Sequence, residues 1–145
     1  MKDGRSVVFK ASLSLLPPSV NKMYVYTARG PRPSNAMRKF RAKAAMELLS
    51  QISFGMAPLD PDKPHKLSIE FFLPVLENKG WPKKAKTRFR RRDVSNLIKV
   101  VEDLISHALG IDDSCFIEVF ATKKDGQKHG FEGMRFQIEE LDDGA

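Results

Sequence analysis

The stretch that decides the fold is RRRDVSNLIKVVEDLISHALGIDD, residues 90–113. In its middle, apolar residues recur at steps of three and four, which is the spacing of one buried helix face: Leu97, Val100, Val101, Leu104, Ile105 and Ala108. Gly110 suits the left-handed position that follows a helix, and Ile111 is placed to pack back on the last turn. The pattern therefore predicts an amphipathic helix over residues 96–109.

The segments around this helix show the two-residue apolar alternation of strands with one buried face. This alternation predicts strands at residues 7–15, 67–73, 116–122 and 134–139. Pro17-Pro18 ends the first strand and Pro74 the second. The last two strands are joined through Asp125-Gly126, by a loop longer than a tight hairpin needs.

A second helix is predicted to start after Ser34, a good N-cap by type, and to be lost by residues 55–58. Its apolar stripe consists of Met37, Phe40, Ala44, Leu48 and Ile52. Residues 19–33, rich in Pro, Gly and Arg, are assigned to a loop. The order is therefore β-α-β-α-β-β, which predicts one α+β domain over residues 1–145, with a mixed sheet and two amphipathic helices packed against it.

Composition narrows the class of protein. The chain has 145 residues, which fits one domain, and its net charge of +7 favours a polyanionic partner such as nucleic acid or an anionic membrane surface. No apolar run approaches the roughly 20 residues of a membrane-spanning helix. The single cysteine, Cys115, cannot form a disulfide within the chain. We therefore expect a soluble, cytoplasmic protein.

Positive charge is concentrated in residues 77–92, which we call the basic loop; low apolar content predicts that it is mobile. Residues 139–145 are acidic and predict a solvated tail. A single surface cation is usually only a solvated charge, so the clustering is the signal. The candidate nucleic-acid-binding residues are Lys83, Lys84, Lys86, Arg88, Arg90, Arg91 and Arg92 in the loop, and Arg38, Lys39 and Arg41 on the helix predicted after Ser34.

Acids stand at both ends of the helix predicted at 96–109. Asp93 precedes it, and Asp112-Asp113 follows it. Asp93 has an ordinary explanation as a helix cap, and the pair as a turn. Together, beside a run of arginines, they match what metal-dependent cleavage of a phosphodiester requires, because carboxylates hold a divalent cation and guanidinium groups hold phosphates. A strand running back alongside the helix would bring both connections together.

Other polar residues have two explanations each. Lys99 either pairs with Asp103, four residues on, or stabilises charge on a reacting phosphate. Ser95 is a cap by type, and Asn96 either orients an acid or belongs to the helix start. Trp81 either stacks on a base or packs onto the domain. Surface or core roles are expected for the histidines, which lack metal-ligand spacing: His65, His107 and His129.

These residues resemble a known signature. Residues 90–99, RRRDVSNLIK, resemble the Asp-x-Asp-Asn-Leu-x-Lys signature of the RusA family of Holliday junction resolvases, which are crossover junction endodeoxyribonucleases. Residues 17–24, PPSVNKMY, resemble the family's Pro-Pro-Ser-x-Asn-x-x-Tyr motif, with Asn21 as a supporting residue. Asp103 falls where the signature helix carries a later acid, and Asp112-Asp113 matches the acidic pair beyond it. The resemblance runs from about residue 12 to residue 124.

The resemblance implies a RusA-like homodimer, of a type carried by phages and prophages, that nicks two strands of four-way DNA symmetrically. Its location would be the cytoplasm of a bacterial host, at the nucleoid. The cofactor would be Mg²⁺, with Mn²⁺ as a substitute. Carried over by position, Asp93 and Asp113 would bind the metal, and Lys99 would assist at the scissile phosphate.

Ser95 departs from the signature, which has its second aspartate there. A hydroxyl is a poor magnesium ligand, so the site would have to use Ser95 itself or recruit Asp112, Glu102 or Asp103. Glu102 lies about 10 Å along the helix from Ser95. Two alternatives therefore stay open: a junction- or branched-DNA-binding protein with weak or lost cleavage, and an RNA-binding or protein-interaction module with no junction preference.

Overall fold

The computed structural model describes residues 5–52, 59–90 and 94–142, with the side chains of Arg5, Val20 and Asn21 excepted. The elements in chain order are β1 (Arg5–Leu13), α1 (Val20–Met23), β2 (Tyr24–Thr27), β3 (Gly30–Pro33), α2 (Asn35–Gln51), β4 (His65–Leu73), α3 (Val94–Leu109), β5 (Phe116–Asp125), α4 (Gly126–His129) and β6 (Gly133–Leu141). A single 3₁₀ turn, Asp113–Cys115, leads into β5. The α+β class and the order of the main strands and helices are as predicted.

The main sheet is mixed, with strand order β1-β6-β4-β5. Its two inner strands are β6 and β4. The strand β6 is antiparallel to both of its neighbours, whereas β4 and β5 are parallel to each other. Parallel neighbours need a crossover connection, and α3 supplies it between β4 and β5. The last two strands of the chain are therefore not a hairpin pair, because β4 lies between β5 and β6 and the one-turn helix α4 forms part of their connection.

The core lies between one face of the sheet and the helices α2 and α3. The predicted apolar stripes are buried except for their last members, Ile52 and Ala108, which are half-buried against the core. The Ser34 hydroxyl caps α2 by accepting from the Met37 amide at 3.1 Å. Gly110 has φ +66° at the end of α3, and Ile111 is buried just beyond it, as predicted. The buried residues of α3 are Leu97, Val100, Val101, Leu104 and Ile105.

The two edges of the sheet differ. On β1, the Gln51 side chain of α2 accepts from the Ser12 amide at 2.8 Å and donates to the Ser12 carbonyl at 2.7 Å. The Glu47 carboxylate accepts from the Ser14 amide at 3.1 Å, so side chains of α2 cover the C-terminal end of this edge. The strand β5 forms the opposite edge, and exposed apolar side chains lie along it: Ile117, Val119 and Phe120.

Two predictions of irregular structure are wrong. Residues 19–33 contain the one-turn helix α1 and the β2–β3 hairpin rather than a loop alone. The predicted acidic tail is shorter, because Glu139, Glu140 and Leu141 belong to β6 and pair with β1. The strand continues because Leu141 is buried and its amide donates to the Pro64 carbonyl at 2.8 Å. Residues 143–145 lie outside the described residues.

Shortening a fully buried α3 side chain should destabilise the domain. Ile105 has 0% relative exposure, so Ile105→Ala should lower the free energy of unfolding by about 2–5 kcal/mol through lost burial and a cavity. Leu49→Ala on the exposed side of α2 is the control, and its effect should stay within about 0.5 kcal/mol. Urea unfolding followed by circular dichroism measures both, and equal effects would contradict the assigned core.

Candidate active site and basic loop

The polar side of α3 and the turn after it form one charged cluster. Lys99, Glu102 and Asp103 lie one to two turns into α3, and Asp113 begins the 3₁₀ turn that follows the helix. The left-handed Gly110 turns the chain at the helix end, so Asp113 returns alongside α3. We call these four residues the Lys99 cluster.

Lys99 is the centre of this cluster. Its ammonium group lies 3.2 Å from the Asp113 carboxylate and 3.3 Å from the Asp103 carboxylate, which confirms the predicted i,i+4 pair. The hydrogen bonds that the Lys99 ammonium group donates to Asp113 and, second, to Asp103 raise its pKa. The side chain is 64% exposed, so these pairs contribute little to stability. Their consequence is positional, because they hold a protonated ammonium group over Asp113.

Asp112 and Glu102 have different surroundings. The Asp112 carboxylate accepts from the Ser114 amide at 2.8 Å, and this backbone hydrogen bond lowers its pKa. Asp112 is therefore the cap of the turn that presents Asp113. For Glu102, partial burial raises the pKa, and the negative charge of Asp113 raises it further. The Lys99 cluster thus contains one carboxylate, that of Glu102, whose charged form is disfavoured by its surroundings.

The described side chains fit a metal ion only in part. Within residues 5–52, 59–90 and 94–142, no three Asp, Glu, His or Cys side chains converge on a common point that could hold a metal ion. Magnesium needs only one or two carboxylates, since water fills its other positions. Asp113 is a donor of the right chemistry, but its predicted partner Asp93 lies outside the described residues. Their predicted proximity therefore stays a prediction.

The remaining signature residues lie near the start of α3. This helix begins at Val94, so Ser95 belongs to its first turn and is not the cap that its residue type predicted. Ser95 is exposed and Asn96 is half-buried. Asn21 belongs to α1 by its backbone, and its side chain is outside the described part of the chain.

The basic loop is folded on itself over its described part, residues 77–90. An isolated bridge pairs Glu77 with Phe89, and the Asn78 amide donates to the Arg88 carbonyl at 2.8 Å. The Asn78 side chain donates to the Thr87 carbonyl at 2.8 Å. These bonds close the loop at its base. Arg91 and Arg92 lie outside the described residues.

The cations of the basic loop are exposed, and one of them is fixed. The Arg88 guanidinium donates to the Glu77 carboxylate at 3.2 Å through Nε and at 3.0 Å through Nη2. The two-point contact sets the direction of the guanidinium plane. The other predicted nucleic-acid-binding residues that the structure describes in this loop are also exposed: Lys83, Lys84, Lys86 and Arg90.

The predicted cations of α2 lie on its exposed side: Arg38, Lys39 and Arg41. Arg41 borders a cleft of about 490 Å³ between α2 and α3, and Asp103 of the Lys99 cluster borders the same cleft. One cation of α2 therefore neighbours the Lys99 cluster across the cleft.

Some features of the site were not found from the sequence. Glu77 and Asn78 organise the basic loop. The Arg88 guanidinium lies over the rings of both Phe89 and Trp81, and Trp81 is 46% exposed. The only signal was the turn-forming Asn78-Lys79-Gly80. Cys115 is buried, which raises the pKa of its thiol to about 11, so it is an unreactive core residue.

A cationic loop and a lysine held over carboxylates are features that suit a protein acting on nucleic-acid phosphates. The chain matches the family Endodeoxyribonuclease RusA over residues 16–132, and it belongs to this family of DNA-cleaving enzymes. No curated protein matches the chain. None of the described helices is long and apolar enough to cross a lipid bilayer.

Removing the charge of Glu102 should stabilise the fold at neutral pH. Because its pKa is higher in the folded state than the ordinary value, the folded state binds the proton more tightly, and stability is lost as pH rises through that raised pKa. Glu102→Gln should therefore melt at a slightly higher temperature than wild type at pH 7.5. The difference should vanish below the ordinary pKa of the carboxylate.

Thermal melts in EDTA at several pH values between 3.5 and 7.5 measure this dependence. This range includes the ordinary pKa of a carboxyl group, about 4. Glu118→Gln, another half-buried glutamate, is the control. A stability difference for Glu102→Gln that grows as pH falls would contradict the assignment.

Proposed function

We propose that this member of the RusA family is a magnesium-dependent endonuclease that resolves four-way DNA junctions by symmetric nicking. The observation that carries the proposal is the contact between Lys99 and Asp113 at 3.2 Å, since it joins two residues that the family signature assigns to the site. The exposed cations on the basic loop and on α2 support a DNA backbone as the substrate.

In this proposal, Asp93 and Asp113 would hold the metal ion, and Asp112, Ser95, Glu102 and Asp103 are the further candidates for its inner or water-mediated contacts. The metal would supply Lewis-acid activation of the attacking water and neutralise charge on the phosphate. Hydrolysis adds the water oxygen to phosphorus and breaks one P–O ester bond, and the leaving oxygen gains a proton.

Lys99 would stabilise the extra negative charge that develops on the phosphate oxygens during this attack. Its ammonium group keeps its proton because Asp113 and Asp103 raise its pKa. Exposure of the side chain leaves it free to exchange one of these carboxylates for a phosphate oxygen.

A second candidate function is junction binding with weak or lost cleavage. The observation that favours it is Ser95, a neutral residue where the signature has an aspartate. The two candidate functions use the same DNA-binding surface and differ only in whether the phosphodiester bond is cleaved efficiently.

Asp113→Asn should abolish nicking of a synthetic four-way junction, because it removes a carboxylate from the metal site while keeping its shape. Junction binding should be unchanged or tighter, since one charge that repels phosphate is lost. Gel assays of nicking in Mg²⁺ and of binding in Ca²⁺ or EDTA measure the two effects. Asp62→Asn, at an exposed turn, is the control and should nick like wild type.

Titration of wild type and Ser95→Asp with Mg²⁺ and Mn²⁺ separates the two candidate functions. Nicking by wild type supports the nuclease. Binding without nicking at any metal concentration, with nicking gained in Ser95→Asp, would establish the binding protein instead. Nicking that persists in Asp113→Asn would refute the proposed metal site.

Symmetric nicking needs two identical sites, and we propose that β5 joins two copies of the chain. As the edge strand it can pair antiparallel with itself across a two-fold axis, which is a self-complementary contact. Its exposed Ile117, Val119 and Phe120 would become buried there, whereas side chains of α2 cover the C-terminal end of the β1 edge. The turn that carries Asp113 leads directly into β5, so this interface is continuous with the site.

Val119→Lys should convert the dimer to a monomer, because each copy would bring an ammonium group into the apolar surface that the strand pair buries. Light scattering after size-exclusion chromatography measures the mass at several protein concentrations. Val25→Lys on β2, where Val25 is 50% exposed, is the control and should stay dimeric. A wild-type monomer, or a Val119→Lys dimer, would contradict this interface.

A further inference from the structure

Half-exposed aromatic rings lie among the cations of the basic loop. Trp81 is 46% exposed and Phe89 is 48% exposed. The Arg88 guanidinium lies 5.8 Å from the centre of the Trp81 ring and 5.1 Å from that of Phe89. Both contacts are within reach of a cation–π interaction, so one arginine links the two rings. We call these three residues the aromatic–arginine cluster.

The aromatic–arginine cluster is held in place before any ligand arrives. Glu77 fixes Arg88 through two hydrogen bonds, and the Asn78 side chain also donates to the Phe89 carbonyl at 3.3 Å. The Trp81 amide donates to the Asn78 carbonyl at 3.2 Å. A ligand that binds to rings already positioned loses less conformational entropy than one that must order a mobile loop.

The surroundings of Trp81 indicate the chemistry of that ligand. Its ring borders an open cleft of about 370 Å³ whose other walls include the lysines at its rim: Lys79, Lys83 and Lys84. The only acid among residues 77–90 is Glu77, and Arg88 already pairs with it. A flat apolar wall beside several ammonium groups fits a nucleobase and the phosphates next to it.

We propose that Trp81 and Phe89 form a base-stacking platform that holds an unpaired base of branched DNA. The proposal rests on the proposed function for its substrate class and adds how that substrate is distinguished. A continuous duplex keeps its bases paired and stacked, whereas a single strand exposes them. At a branch point the stacking between neighbouring base pairs is interrupted, which makes the base pairs there easier to open. Lysines alone would bind both forms through the backbone. The platform therefore supplies a preference for DNA with unpaired bases.

Trp81 is the sole tryptophan of the chain, so its fluorescence reports on the platform directly. Stacking on a nucleobase should quench this fluorescence during titration with a single-stranded oligonucleotide or a four-way junction. Heparin, a polyanion without bases, should bind the same cations without comparable quenching. A blunt linear duplex should quench less than the junction at equal occupancy, with occupancy measured by anisotropy of the labelled DNA.

Trp81→Ala and Phe89→Ala should each weaken binding of single strands and junctions by roughly 5- to 100-fold, the range of one lost base stack. Linear-duplex affinity should change little. Trp81→Phe keeps a ring and should recover most of the loss. Tyr26→Ala is the matched control, since Tyr26 is 87% exposed on β2 outside the basic loop. Melting temperatures near that of wild type confirm that each variant is folded.

DNA that binds without quenching, or an unchanged junction-to-duplex affinity ratio in Trp81→Ala, would overturn the platform and leave the nuclease proposal standing. Quenching by the junction in a protein that never nicks would overturn the nuclease proposal and support the platform. Absence of any DNA binding would overturn both.

Discussion

The packing of α3 against the face of the sheet, as the crossover between β4 and β5, sets the geometry of the site. As the crossover between two parallel strands, α3 must bury one face against the sheet, so its other face and both its ends are fixed in direction. The Lys99 cluster lies on that other face and at the C-terminal end. A rigid helix and a capped turn therefore position Lys99 relative to Asp113, rather than a loop.

The electrostatics of the site follow from this arrangement. Lys99 is shared between two carboxylates, while Glu102 is half-buried and faces the charge of Asp113. Three acids around one ammonium group leave a local excess of negative charge within a chain of net charge +7. A divalent cation would relieve that excess, which gives the acids of the cluster a physical reason to favour metal binding.

The basic loop contributes a defined shape as well as positive charge. Its cations attract any polyanion, and attraction of this kind does not distinguish one nucleic acid from another. The hydrogen bonds at the base of the loop and the Glu77–Arg88 pair give the loop a defined shape. Trp81 and Phe89 are half-exposed in it. The β5 edge, with its exposed apolar side chains, is the surface that we propose for a second copy of the chain. Charge and shape are thus contributed by the basic loop, and the proposed symmetry would come from a separate strand.

The family, and the helices and strands with strong apolar periodicity, could be predicted from the sequence alone. The apolar stripes of α2 and α3, the caps at Ser34 and Gly110, and the strands β1 and β4 are local patterns, because each follows from residues within one or two turns or along one strand. The family signature is likewise a short ordered run of residues. Only tertiary structure decided the position of β6 between β1 and β4, the extension of β6 through Glu139 and Glu140, and the meeting of Lys99 with Asp113. Strand order and contacts across the fold depend on pairings between residues far apart in the chain, and no local pattern encodes which partner a strand or a charge will meet.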